Sequence, residues 1–329
     1  MTWERQAERG SAGALRLMVW IVDHLGGGVA QFLLYPVTAY FLLSAPQRWT
    51  ASRVFLSRAL GRRAGWRDLY RQYFAFCSTF LDRLYLLRGQ TAGYEFRVTG
   101  LEHLQALIAE KRGCILLGAH LGSFEAMRSL ADQGCPVEVL ALMQADHAAR
   151  ATAFFETVAP QHMATVVPLG RPDAMLRAKE CLERGGLLGI LADRGPEGAR
   201  LSYHSFLGQP AGFPVGPHAL AAVLRAPVML AFGLWHGARR YEIRFEPFAD
   251  QIAPDRQNRQ ADLETVMGRY VTRLEDMARR HPYNWFNFYD FWKRPEVHED
   301  AHDPPHHAPP AADSPVGPGH KRGAGGDAA

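Results

Sequence analysis

The stretch Cys114-Ile-Leu-Leu-Gly118-Ala-His120-Leu-Gly-Ser-Phe-Glu125 constrains the fold of this chain more than any other. Its apolar run from Cys114 to Leu117, with Lys111-Arg112-Gly113 before it and Gly118 after it, predicts a short buried strand. The chain then turns, and a proline-free segment up to Pro136 predicts a helix beginning near Gly122 or Ser123, with Ser123 as its N-cap. His120 therefore falls in a strand-to-helix loop. Five residues on an ideal helix rotate about 500°, which leaves two side chains about 140° apart. His120 and Glu125 can meet only if the loop folds back over the first helical turn. The carboxylate then accepts a hydrogen bond from one imidazole nitrogen and leaves the other free to act as a base, an arrangement suited to acyl transfer to a hydroxyl or amine. A loop histidine beside a solvated helical glutamate has the same spacing, so the pattern alone leaves both readings open.

A second apolar stretch, Gly186 to Ala192, reads as a strand that delivers Asp193-Arg194. In open α/β sheets ligands bind outside the carboxyl ends of the strands, which predicts one crevice for His120 and Arg194, with Asp193 beside Arg194 as a further substrate-binding candidate. A planar guanidinium at Arg194 suits a phosphate or a developing oxyanion; an internal ion pair with Asp193 or Glu197 is the alternative. Arg150 and Arg171 are further candidates for phosphate contact, set against a role as solvated surface arginines. Gly208, Pro210, Phe213, Pro214 and Gly216 predict a loop whose backbone approaches a ligand or packs over the site, or else a structural turn.

Several chemistries are excluded. Gly-x-Ser-x-Gly is absent, and Cys77, Cys114, Cys135 and Cys181 form no short pairing motif, so nothing points to a covalent nucleophile or a disulfide framework. Gly118-Ala-His-Leu-Gly122 is neither a dinucleotide fingerprint nor a phosphate loop. With a net charge of only +4 and arginines that flank apolar stretches, nucleic-acid binding is the wrong inference from basicity.

Alternation along the rest of the chain predicts strands over Glu138–Met143, Ala164–Leu169, Val228–Leu234 and Tyr241–Phe245. Helices are predicted over Asp146–Val158, Pro172–Glu183, Pro217–Leu224 and Ala261–Arg280. That order, with a late antiparallel pair, predicts an α/β sandwich with a mixed central sheet flanked by helices. Ahead of it, Leu25 to Gln47 runs through 23 residues without a charge, long enough to span a bilayer but diluted by Gly26-Gly27-Gly28, Gln31 and Pro36. Arginines crowd both sides, Arg5, Arg9 and Arg16 before and Arg48 to Arg83 after, as expected for an anionic membrane face. If the segment spanned, the larger downstream excess would hold the following domain on the cytoplasmic side. Trp66 to Arg88 carries aromatics at three- and four-residue intervals and predicts an amphipathic helix, packed on the core or lining an access route for an acyl chain. From Pro295 onward large apolar residues almost vanish, which predicts a disordered tail. The expected organisation is thus an anchoring helical region over 1–90, a catalytic domain over 91–294 and a tail over 295–329.

These segments together resemble a known family. The His-x4-acid stretch resembles the motif of the glycerolipid and lipid A acyltransferase superfamily. Gly189-Ile-Leu-Ala-Asp193-Arg194-Gly195-Pro196, the block from Phe206 to Pro217 and Leu220 to Val228 are similar to the second block of the late acyltransferases of lipid A synthesis, the lauroyl and myristoyl transferases. Pro282 to Trp292, with its Trp285-Phe286 pair, resembles the close of that family's catalytic domain, in a form nearer a predicted-acyltransferase branch. Leu121 and Ser123-Phe124 depart from the family's usual versions of the motif. The resemblance implies a transferase of the bacterial inner membrane, facing the cytoplasm. In it His120 deprotonates an acceptor hydroxyl that attacks the thioester of an acyl carrier protein or acyl-CoA, and Glu125 orients His120. The acceptor would be a lipid A precursor, another glycolipid, a lysophospholipid or a polyene-type lipid. A thiol ordinarily titrates near pH 8.5, roughly the cysteine value, so a thiolate leaving group needs little acid assistance, and no cofactor or metal is called for.

Overall fold

Apolar runs bounded by glycine build the middle of the molecule. The computed structural model describes residues 12–44, 46–134, 137–145, 149, 152–154, 158–159, 165–196 and 198–293. Three helices lead, α1 (Ala12–Ser44), α2 (Pro46–Leu60) and α3 (Trp66–Leu87). They are followed by β1 (Glu95–Thr99), α4 (Leu101–Ala109), β2 (Cys114–Gly118), α5 (Phe124–Gly134), β3 (Val139–Gln144) and β4 (Val166–Leu169). Then come α6 (Ala174–Glu183), β5 (Leu187–Leu191), β6 (Leu201–Phe206), β7 (Gln209–Pro214), α7 (Gly216–Leu224), β8 (Val228–Trp235), β9 (Arg240–Ala249) and α8 (Arg259–Arg280).

Seven strands form one sheet in the order β1-β9-β8-β2-β5-β3-β4. Every neighbouring pair is parallel except β8 and β9. The sheet is thus mostly parallel, with helices on its faces, and β2 is buried along its whole length, as a central strand covered on both sides should be. One face packs Ile115, Leu117, Leu188, Ile190 and Leu230 against α8, whose Leu263, Met267, Tyr270, Leu274 and Met277 recur at helical spacing. The other face packs Cys114, Leu116, Met229 and Ile243 against α4 and α5.

Two features differ from expectation. β1 and α4 had no counterpart in the sequence reading, because β1 is an edge strand whose residues alternate exposed and half-buried. The segment expected as a loop or a structural turn from Gly208 to Gly216 instead supplies the turn and second strand of a two-stranded hairpin, β6 with β7. Its turn is Leu207-Gly208, both at positive φ (50° and 78°), as in the type I′ turn of a two-residue hairpin.

Helix α3 fastens the amino-terminal helices to the sheet. The Asp68 carboxylate accepts the Gly65 N–H at 2.9 Å, two Arg62 hydrogen bonds at 2.8 and 2.9 Å, and the Tyr283 hydroxyl at 2.8 Å. The Asp82 carboxylate, buried farther along, accepts the hydroxyls of Tyr94 at 2.8 Å and Tyr241 at 2.7 Å. Helix α1, in turn, packs along α3 through Val22, Ala30 and Leu34 against Cys77, Leu81, Leu84 and Tyr85. Among the described residues, the Gly27–Ser44 portion of α1 is long and apolar enough to cross a membrane by length and composition.

Candidate active site

Strand register determines which side chains meet. β2 and β5 are parallel neighbours, and Gly118 pairs with Leu191 at their carboxyl ends. The Ala192 N–H donates to the Gly118 carbonyl at 3.0 Å, which carries the ladder one step further. His120 and Asp193 each lie two residues beyond the Gly118–Leu191 pair and so face one another. His120 Nδ1 stands 2.8 Å from Asp193 Oδ1, and the His120 backbone N–H donates to both carboxylate oxygens at 3.1 Å. The Trp285 indole N–H donates to Asp193 Oδ2 at 3.1 Å. With the carboxylate as acceptor, Nδ1 carries the proton and Nε2 is left as the basic nitrogen. Asp193's side chain is fully buried, whereas His120's is 30% exposed, so the dyad is anchored inside and open outside.

Electrostatics follow from this burial. Burial alone would raise the Asp193 carboxyl, but the charge and hydrogen bond of His120, then Arg194 and the Trp285 indole, hold it well below the usual carboxylate range. Burial and the neighbouring Arg194 push the His120 imidazole below its ordinary 6.5, against the opposing pull of Asp193. The imidazole is thus neutral at pH 7, the state a general base needs.

The loop that carries His120 is held on two sides. The Gly122 N–H donates to Asn284 O at 2.8 Å, Ser123 N–H to Gly233 O at 2.7 Å, and Phe286 N–H to His120 O at 3.0 Å. Gly122 has φ +84°, and a Cβ there would lie 2.0 Å from the Gly233 carbonyl oxygen. Below it the fully buried Trp285 is enclosed by Phe55, Phe206 and Phe291 at ring distances of 4.6, 5.3 and 4.8 Å. Gln72 of α3 donates its amide N–H to the Trp285 carbonyl at 2.8 Å.

Glu125 does not hold His120. It lies in the first turn of α5, as expected, but pairs with Arg83 of α3 at 2.7 Å, and the hydrogen bond expected from it comes from Asp193. The reason is geometric: Gly122 pins the loop to β8 instead of letting it fold over α5. Glu125 lines a cavity with Leu87, Phe124, Met143 and Val166, between α3, α5 and the strands β3 and β4.

Arg194 sits beside the dyad, with Nη2 donating to Phe286 O at 2.6 Å and its guanidinium over the Tyr289 ring at 5.6 Å. Its Nε is 3.9 Å from Asp193, a loose contact consistent with a cation that neighbours the carboxylate without capturing it. Arg171 follows β4 at the same sheet edge, but β5 and β3 separate it from β2, and it is exposed and paired with Asp173 at 3.1 Å. Arg150 lies outside the described residues, as do Glu197, Cys135, most of the helix expected over Asp146–Val158, and the tail from 295. Gly208 sits at the exposed hairpin turn, and Phe213 is fully buried against Phe206 and Phe291, which places it in the core under Trp285 and not against a ligand.

Catalytic geometry of this kind occurs on unrelated folds, so kinship must come from sequence over a long span. The sequence model of the family described as bacterial lipid A biosynthesis acyltransferase matches residues 83–294, well over half of the chain. The chain belongs to that family. The match contains the dyad, Arg194, Gly122 and the Trp285 closure, and it begins inside α3. No curated protein is significantly similar to the chain in sequence. Membership in a lipid A acyltransferase family makes this an acyltransferase acting on lipid substrates.

Sequence reasoning named His120, Asp193 and Arg194 but assigned the orienting role to Glu125. It also gave no role to Gly122, Gln72 or Asn284. The usable signal was that His120 and Asp193 both stand just past apolar runs that read as strands.

Proposed function

We propose that this protein transfers a fatty acyl group from an acyl carrier protein or acyl-CoA thioester to a hydroxyl or amine of a lipid acceptor such as a lipid A precursor or related glycolipid. The observation that carries the reading is the neutral, half-open His120 held by the buried Asp193 within the family match. His120 Nε2 removes the acceptor's proton as the acceptor oxygen or nitrogen attacks the thioester carbonyl. The tetrahedral intermediate then collapses, the C–S bond breaks, and the imidazolium returns its proton to the departing thiolate. Asp193 fixes the tautomer and stabilises the imidazolium, the role a buried carboxylate plays in acid-base dyads generally. Arg194 is placed to stabilise the oxyanion or to take a phosphate of acceptor or donor. Glu125 acts through Arg83, tying α5 to α3. Phe213, packed on Phe206 and Phe291, supports the closure around Trp285, whereas Arg171, two strands away from the His120 crevice, and the exposed Gly208 are given no part in the reaction.

The same reading places the enzyme at the cytoplasmic face of a bacterial inner membrane. Residues 1–90 form the membrane-associating region, 91–294 the catalytic unit and 295–329 a tail. Support comes from the apolar α1 and from the arginines around α2 and the start of α3.

The test is transfer from labelled acyl carrier protein to a total membrane lipid extract by wild type and by His120→Ala, with products identified by mass. A new acylated lipid made by wild type alone supports the reading and names the acceptor. Equal product from the variant removes His120 as the base. No product from either protein, with folding and donor binding intact, favours a non-catalytic lipid- or carrier-binding protein of the same fold.

A further inference from the structure

Helix α1 has two faces of different character. From residue 29 onward, Val29, Phe32, Pro36, Tyr40 and Leu43 are exposed, and at 100° per residue they share an arc of about 80°. Phe32 is 72% exposed and Leu43 68%. On the opposite side Ala30, Leu34, Thr38 and Leu42 are buried.

The buried side is committed to α3 over most of its length. Asp23 pairs with Arg88, the Gly27 backbone lies beside the Tyr85 hydroxyl, and the exposed Tyr35 at the edge of this side meets Phe74 with ring centroids 5.0 Å apart. The Tyr70 hydroxyl donates to the Tyr35 carbonyl at 3.2 Å. As the number rises on α1 it falls on α3, so the two helices run antiparallel. Arg239 at the start of β9's hairpin closes the upper end: its guanidinium lies over the Tyr85 and Tyr94 rings and against Gly27, where any side chain would displace it.

This pairing sets a limit on how α1 can meet a bilayer. If α1 crossed it upright, α3 would be carried into the hydrocarbon with Asp68, Asp82 and Arg83, each bonded to the catalytic unit at Tyr283, Tyr94 and Tyr241, or Glu125. A charged side chain at the centre of a bilayer is strongly disfavoured. Only the outer face of α1 can enter lipid without that cost. Exposed arginines at the α2–α3 turn and the start of α3, Arg63, Arg67 and Arg71, stand beside exposed Trp66, a charge and aromatic pattern that complements anionic headgroups.

We propose that α1 lies in the plane of an anionic phospholipid surface, submerging the stripe Val29, Phe32, Pro36, Tyr40 and Leu43, and does not span the bilayer. The proposal rests on the membrane reading given above and specifies its geometry.

Depth measurement separates the two orientations. Single cysteines replace Val29, Phe32, Tyr40 or Leu43 in the full chain carrying Cys135→Ser, where Cys77, Cys114 and Cys181 are buried. Each is labelled with a fluorophore and quenched by nitroxide lipids in phosphatidylethanolamine–phosphatidylglycerol vesicles. In-plane docking predicts similar shallow depths at all four positions. A steady change of depth, roughly 21 Å between residues 29 and 43 for an upright helix, overturns the in-plane geometry alone. No vesicle binding by the unlabelled wild-type chain overturns the membrane reading as well. A second variant, Phe32→Glu with Tyr40→Glu, changes only exposed side chains and should keep wild-type circular dichroism while binding the same vesicles at least about tenfold more weakly. Undiminished binding by that folded variant removes the stripe as the docking face. Neither arm depends on turnover, so both stand apart from the acyl-transfer test.

Discussion

Asp193 receives three N–H groups on one fully buried carboxylate, and two of them belong to His120: its backbone amide at 3.1 Å and its Nδ1 at 2.8 Å. Backbone and side chain of His120 are therefore fixed by the same anion. Rotation of the imidazole would break the charge-assisted bond without releasing the carboxylate, so Asp193 selects both position and tautomer.

The acid limb of the pH profile should report this environment. Burial and Arg194 lower the His120 pKa below 6.5, so kcat/KM should hold its plateau below pH 6.5 and fall only as the imidazole protonates. Asp193 opposes that shift, hence Asp193→Asn should move the limb further toward acid while lowering the plateau. A limb above 6.5 in wild type would contradict the placement of Arg194 and the burial of the base.

Gly122→Ala should cost both stability and rate. The new methyl group meets the Gly233 carbonyl oxygen at 2.0 Å, and the backbone at φ +84° is itself unfavourable for alanine by roughly 1–3 kcal/mol. Urea unfolding should show a loss at least of that size, with kcat falling because the His120 loop is displaced. A variant with wild-type stability and turnover would show that the loop is not pinned there.

His218 supplies a pH test away from the chemistry. Fully buried in α7 with its ring against Tyr270, it has its pKa pushed down to about 4 by burial. A pKa lowered on folding means that the unfolded chain binds the proton more readily. Its contribution is fully present above pH 6.5 and is lost as pH falls toward 4, by about 3 kcal/mol at most. Urea unfolding at pH 7 and pH 4 should show a smaller drop for His218→Gln than for wild type; equal drops would mean that His218 is not buried neutral.

The parts of the fold legible in the sequence are those whose burial leaves a pattern. β2, β5 and β8 are covered on both faces and read as unbroken apolar runs, and β8 with β9 was recognisable as an antiparallel pair. β1 was not, because an edge strand with Glu95, Arg97 and Thr99 outward resembles a polar loop. Gly208, Pro210 and Gly212 disguised the β6–β7 hairpin as an irregular loop. His120 stood out in the sequence as a candidate from its loop, whereas its hydrogen-bond partner did not, since a contact between residues 73 apart depends on β5 lying next to β2. The nearer carboxylate in sequence, Glu125, was the natural choice, and the Arg83 that engages it sits on a helix 42 positions earlier than Glu125.

The central claim is that Asp193, and not Glu125, orients His120. The most direct measurement compares acyl transfer from labelled acyl carrier protein to the lipid acceptor by wild type, Asp193→Asn and Glu125→Gln, each shown to be folded. The account predicts that Asp193→Asn lowers kcat by about 10²–10⁴-fold, as loss of a tautomer-fixing carboxylate does elsewhere, while Glu125→Gln lowers it far less. The reverse order, a crippled Glu125→Gln beside a nearly active Asp193→Asn, would contradict it.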